Sequence, residues 1–173
     1  MSYVPQASAA VVLITLTVSL QGAGMALLIH WARFQFACGI HQLTPLNGTV
    51  LIIRFTSMII GMHMVQILLW TLFYRWLCFP SLESSFYFST TSYSTVGYGD
   101  IVLPHRWRTL GPVESVVGVL MCGLSASLLF AIVTRLVGRY ETQYSAEPVK
   151  PLPHLPPPAA VPVTAALASV IKR

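Results

Sequence analysis

The residues with the most specific chemistry in this sequence lie between Ser89 and Asp100, which read STTSYSTVGYGD. Gly97 and Gly99 flank a single residue, Tyr98, and Thr95 and Val96 precede them. A dehydrated cation needs a cage of oxygen atoms in place of its water, and successive backbone carbonyls supply one when they point the same way. That alignment requires alternating backbone conformations, which residues bearing a Cβ resist; glycine at alternate positions removes the cost. Other chemistries find no footing. No HExxH, GxSxG or P-loop pattern occurs. Cys38, Cys78 and Cys122 are too few and too dispersed for a disulfide scaffold or a zinc site. Of the five acidic residues only Glu114 borders a long apolar stretch, so paired-carboxylate catalysis has no site and an enzyme is not expected.

The elements that must position this run are marked out by the charges. Residues 1 to 32 carry none, 20 uncharged residues separate Arg54 from Arg75, and another 20 separate Glu114 from Arg135. Crossing the roughly 30 Å hydrocarbon core takes about 20 apolar residues as a helix. The three stretches predict membrane helices over Ser8–Trp31, Val50–Leu77 and Gly111–Leu136. The first lacks the basic residue that opens a secretory leader, so it reads as a retained helix. Between Glu83 and Asp100 only 16 residues intervene, too few to span and rich in Ser, Thr and aromatics. They suit a re-entrant element that enters the membrane and returns on the same side. Within it, Ser81 to Tyr93 predicts a short helix, with Ser81 as N-cap and Glu83 complementing the helix dipole. Pro80 closes the helix before it.

A fourth uncharged interval, Phe34 to Ile53, holds Gln35, His41, Gln42, Pro45, Asn47 and Gly48 and reads as a loop over its first two-thirds. Seven of the 12 prolines fall in residues 148 to 162, which predicts a disordered, extended tail. Trp31 and Phe34, and Trp70, Tyr74 and Trp76, read as interfacial anchors. His63, mid-span, reads as a neutral histidine hydrogen-bonded between helices. His105, Arg106 and Arg108 read as solvated rim residues. Composition agrees with a small membrane protein: 55% of residues are hydrophobic and 9% charged, against about a quarter charged in soluble domains. The 10 basic residues are scattered, which argues against nucleic acid as a partner.

The run Thr95-Val96-Gly97-Tyr98-Gly99-Asp100 resembles the selectivity filter of potassium channels, matching it without a gap. The carbonyl-lined filter is the known device of that family, and its mechanism is theirs rather than inferred from these residues. The resemblance covers roughly residues 50 to 140 and is nearest to small bacterial-type subunits that carry a bare two-span pore. It implies an all-α membrane protein of three transmembrane helices, with a re-entrant pore helix and filter between the second and third. The chain then has four divisions: an N-terminal helix over 1–32, a cytoplasmic loop over 33–49, a pore domain over 50–140 and a Pro-rich disordered cytoplasmic tail over 141–173.

The resemblance further implies that K+ is held at Thr95, Val96, Gly97 and Tyr98, with Gly99 completing the filter and Asp100 at its outer mouth. Tyr98 is expected to face away from the ion and wedge the loop against the pore helix. Tyr87 and Phe88, where the family often has two tryptophans, and Thr91, where some relatives have a buried glutamate, are expected to support the filter. Ser94 replaces a common threonine. In the last helix Ser115, Gly118, Cys122 and Ser125 form a stripe of small residues suited to close helix approach. Gly123 lies where the family's inner helix often bends and is the hinge candidate, with close packing as the alternative reason for a glycine there.

One filter strand cannot enclose an ion, so a symmetric ring is expected, and the resemblance implies that it is a homotetramer in a lipid bilayer. The expected function is passive, potassium-selective conduction, with no cofactor beyond the permeant ion. The alternative is a non-conducting accessory or scaffolding membrane protein that keeps the pore fold. Because such filters face outward, the expected placement is in the cell membrane, with the N-terminus outside and the C-terminus cytoplasmic. Arg33, Arg54, Arg135, Arg139 and Lys150 then lie near the inner face, against Arg75, Arg106 and Arg108 near the outer, in keeping with the positive-inside rule. No helix carries the spaced arginines of a voltage sensor.

Overall fold

In hydrocarbon a backbone has no hydrogen-bond partner but itself, so long uncharged runs must close their bonds as helices. The computed structural model, which describes residues 4–37 and 45–146, shows this outcome. Helix α1 runs Val4–Ala37, α2 Pro45–Leu77, α3 Leu82–Tyr93 and α4 Leu110–Ala146, with one 3-10 turn at His105–Trp107. The described residues contain no strand. Helices α1, α2 and α4 are each long and apolar enough to cross a membrane. The chain divides into two compact units, Met1–Tyr140 and Glu141–Arg173. The packing of α1 to α4 against one another belongs to the first.

The helices overrun the spans predicted from charge. Charged residues mark where hydrocarbon ends, whereas helical hydrogen bonding continues into the headgroups; at 1.5 Å per residue α1 is about 51 Å long. The expected loop over 33–49 is therefore shorter. Residues 33–37 are the last of α1, and Pro45 opens α2 at a first-turn position where its missing N–H goes unneeded. Residues 38–44 lie outside the described residues. Residues 141–146, assigned to the tail, are helical, and the proline-rich remainder lies outside the described residues.

Three clusters hold the bundle together along its length. At one end Leu13 of α1 and Trp70 and Tyr74 of α2 meet Leu103, Trp107 of the 3-10 turn and Leu110, the first residue of α4. In the middle Ile67, Tyr93, Val117 and Met121 join α2, α3 and α4. At the other end Leu28, Ala32, Leu51, Phe55, Ile59, Ile132 and Leu136 close the bundle. The start of α1, the end of α2 and the start of α4 therefore share one end of the bundle with the 95–100 loop. Along α1 the buried residues are Gln6, Leu13, Thr17, Gln21, Leu28 and Ala32, spaced by sevens and fours as one helical seam. Half of that seam is polar. In lipid, apolar surface gives helices no reason to associate, and interhelical hydrogen bonds and close packing take over.

Two expected anchors prove to be interior. Trp70 and Tyr74 are fully buried. The Trp70 indole N–H donates to Thr17 Oγ1 at 3.0 Å, and the Tyr74 hydroxyl donates to Glu114 at 2.9 Å. Their polar tips met protein partners rather than headgroups, which removes the reason for an interfacial position. Trp31 packs edge-on against Phe55 at 4.8 Å, while Trp76 and Phe34 are exposed.

Candidate functional site

Helix α3 is short because both of its ends are fixed, one by a capping side chain and the other by the backbone of the 95–100 loop. Ser81 caps the start, its hydroxyl accepting from the Ser84 N–H at 3.1 Å, and Glu83 lies in the first turn. At the C-terminal end the Thr95 N–H donates to the Ser92 carbonyl at 3.0 Å, and the Gly97 N–H donates to the Thr91 carbonyl, also at 3.0 Å. The loop is thus tied back onto carbonyls that the helix leaves without partners.

Beyond that tether the backbone alternates. Thr95, Gly97 and Gly99 have φ of +65°, +51° and +78°, and no other described residue has a positive φ. The three residues with positive φ therefore fall at every second position of the run. Gly97 and Gly99 adopt this conformation without strain. Thr95 is β-branched, and holding it there costs about 1–3 kcal/mol that the surrounding bonds must offset.

The other sequence-predicted residues gather around this loop. The Tyr87 hydroxyl donates to Asp100 Oδ2 at 2.9 Å, and the second Asp100 oxygen accepts from the Ile101 N–H at 3.0 Å. The Asp100 carboxylate so engaged raises the Tyr87 phenol above its ordinary range. Tyr98 stacks on Tyr87, with centroids 6.3 Å apart and planes 17° from parallel. Phe88 packs edge-on to Tyr74 at 5.1 Å and near Phe79 at 5.6 Å, and it lines one cavity with Thr95, Gly97 and Gly99. The Thr91 hydroxyl bonds back to the Phe88 carbonyl at 3.0 Å, so Thr91 holds the loop through its backbone rather than its side chain. Val96 and Tyr98 are 52% and 70% exposed within the single chain.

Helix α4 forms the seat for α3. Ser115 Oγ donates to the Ser92 carbonyl at 2.7 Å. A Cβ on Gly111 would stand 3.1 Å from the Phe88 ring. One on Gly118 would press on the Tyr93 backbone, 3.0 Å from its carbonyl carbon and nearer still to its oxygen. Of the small-residue stripe, Ser125 serves α1 instead, and Cys122 is exposed. Gly123 has nothing within 4 Å of where its Cβ would be, so close packing within the chain does not explain it, and α4 passes through it unbroken.

Sequence reasoning missed two polar clusters behind the loop. Glu114, fully buried, accepts from Ser89 Oγ at 2.6 Å and from the Tyr74 hydroxyl at 2.9 Å, joining α3, α2 and α4 at one carboxylate. Deeper in, Gln66 Nε2 donates to Gln21 Oε1 at 2.7 Å, and Gln21 Nε2 donates to Ser125 Oγ at 3.0 Å. The Tyr93 hydroxyl donates to Gln66 Oε1, and His63 Nδ1 lies 2.9 Å from that hydroxyl. His63 is hydrogen-bonded between helices as its position suggested. The chain of bonds runs from α1 to Tyr93, two residues before Thr95. Mid-span glutamines were the available signal, because an amide in hydrocarbon must find a partner. Among the described residues no three His, Cys, Asp or Glu side chains group as metal ligands.

A family model described as "Ion channel" matches residues 48–135. The match takes in α2, α3, the 95–100 loop and α4 as far as Arg135, and leaves α1 outside. No curated protein and no solved structure matches the chain.

Proposed function

Because this chain belongs to the ion channel family, we propose that it is one subunit of a potassium-selective pore that conducts K+ passively through a ring of four copies. The alternation of left-handed residues at Thr95, Gly97 and Gly99 within the TVGYGD run carries this reading. Carbonyls turned to one side by that alternation replace the hydration shell of a dehydrated K+. The Thr95 hydroxyl supplies an innermost set of oxygens, and the Tyr87–Asp100 bond holds the outer end of the strand. The C-terminal end of α3 offers partial negative charge to a cation in the cavity below.

Exposure of Val96 and Tyr98 supports a ring, since apolar side chains on a loop at the pore are covered when neighbouring copies close around it. With the filter facing outward, the N-terminus lies outside and α4 delivers the C-terminus to the cytoplasm. Purified chain in liposomes tests the reading. Potassium efflux should far exceed sodium efflux, and Gly97→Ala or Gly99→Ala should abolish that preference. Absence of flux would instead favour an accessory membrane protein, and unchanged selectivity in both variants would overturn the filter assignment.

A further inference from the structure

At the end of the bundle away from the 95–100 loop, α1 and α4 leave a groove of about 440 Å³ between them. Its walls are apolar, formed by Ile29 and Phe36 of α1 and Leu128 and Ile132 of α4. Two arginines also line it, Arg33 from α1 and Arg135 from α4. Neither has a hydrogen bond or ion pair among the described residues, and both are exposed. Within the first unit the carboxylates are Glu83, Asp100 and Glu114, all toward the loop end, and the next acid along α4 is Glu141, six residues after Arg135. A third cation, Arg139, is already engaged: Nη1 donates to the Phe36 carbonyl at 3.2 Å, and the guanidinium lies 4.9 Å over the Phe36 ring. It holds Phe36, one of the groove's walls, and satisfies a carbonyl at the end of α1.

Depth decides what such a groove can hold. From Leu110 to Arg135 is 25 residues, about 37 Å along α4, which exceeds the roughly 30 Å hydrocarbon core. The two arginines therefore stand at headgroup level while the apolar walls reach into the acyl region. Basic pockets between membrane helices suit anionic headgroups, and guanidinium forks match phosphate oxygens in pairs.

We propose that this groove is a binding site for one anionic phospholipid, its phosphate between Arg33 and Arg135 and its acyl chain along Ile29, Leu128 and Ile132. The lipid bridges α1, which lies outside the family match, to the last turns of α4. The inference rests on the chain spanning a membrane and not on its ion selectivity, so the test reads binding without ion flux. Full-length chain purified in detergent is titrated with phosphatidylglycerol or phosphatidylcholine, and retained lipid is counted by native mass spectrometry. Phosphatidylglycerol should be retained at least tenfold more tightly than phosphatidylcholine. The double variant R33Q/R135Q should lose that preference at least tenfold, R33K/R135K should recover part of it, and R54Q should leave it unchanged. Inorganic phosphate at the same concentration should neither compete nor bind. Equal retention of the two lipids, an R33Q/R135Q variant that binds as the parent does, or displacement by free phosphate would overturn the proposal. So would a groove covered by a second copy of the chain, seen as an Arg33–Arg135 region protected from hydrogen exchange in lipid-free oligomer.

Discussion

Gly118 and Gly123 lie on the same helix five residues apart, and replacing each with alanine adds the same single carbon. At Gly123 that carbon meets nothing within 4 Å. The substitution should leave the fold intact and add up to about 1 kcal/mol of helix propensity per chain. At Gly118 the new carbon would stand 3.0 Å from the Tyr93 carbonyl carbon and 3.2 Å from its ring, and closer to the carbonyl oxygen. Backbone cannot swing aside as a long side chain can, so α3 must move off α4 by something on the order of an ångström, at about 1–3 kcal/mol per chain. Tyr93 is the last residue of α3, and the tethers from Thr95 and Gly97 go to Ser92 and Thr91 just before it. The displacement therefore passes directly to the left-handed run. In potassium and sodium flux from liposomes, Gly118→Ala should lose selectivity while Gly123→Ala retains it. If the two variants behave alike and like the parent, the seat of α3 on α4 does not govern the loop.

Three further outcomes are expected. Glu114→Ala leaves the Tyr74 hydroxyl buried without its acceptor, at about 1–3 kcal/mol, while Ser89 falls back on the Ile67 carbonyl at 3.1 Å. Its assembly should melt well below the parent's, whereas Glu114→Gln, which keeps one accepting oxygen, should recover part of the loss. Gln66→Leu removes the acceptor of Tyr93 and the donor to Gln21 together. Under sustained recording its current should decline faster than that of Gln21→Leu, which cuts only the α1 side; equal decay would separate the cluster from the loop. Cys78, just past α2, has its thiol pushed up to about 11 by burial. The thiolate is present above that value and scarce below it. With Cys38 and Cys122 replaced by serine, maleimide labelling at pH 8 should run roughly a hundredfold slower than for free cysteine and rise with pH up to about 11.

What the sequence disclosed, and what it hid, divides by distance along the chain. The 95–100 run, the Ser81 cap and the three long apolar stretches are local patterns, each readable within a window shorter than the element it defines. Trp70 and Tyr74 were misread because an aromatic pair near the end of a span looks the same whether its polar tips meet headgroups or protein. The decision came from Thr17, 53 residues away from Trp70, and Glu114, 40 away from Tyr74. Glu114 itself read only as an acid bordering a long apolar stretch, and nothing nearby reveals that Ser89 and Tyr74 converge on it. His63 could be assigned a hydrogen bond, since a mid-membrane imidazole must be bonded, but not its partner Tyr93 on another helix. Helix ends were misplaced for a different reason: charge locates the edge of hydrocarbon, and the backbone has no cause to unwind there.

The polar half of the α1 seam also bears on how the protein is made. Synthesis delivers α1 before α2 and α4, and until they arrive the Gln21 amide lacks the partners it has in the folded bundle. Thr17 is less exposed to this difficulty, because its hydroxyl already donates to the Leu13 carbonyl of its own helix at 2.8 Å. Arrival of α2 relieves both residues at once, Gln66 meeting Gln21 and Trp70 meeting Thr17. Only then does α4 bring the Met121 carbonyl and Ser125 Oγ to the Gln21 amide hydrogens, and Glu114 to Tyr74. Each newly made helix thus carries the partner its predecessor lacks, so that lateral release into the bilayer favours the native neighbour over lipid at every stage.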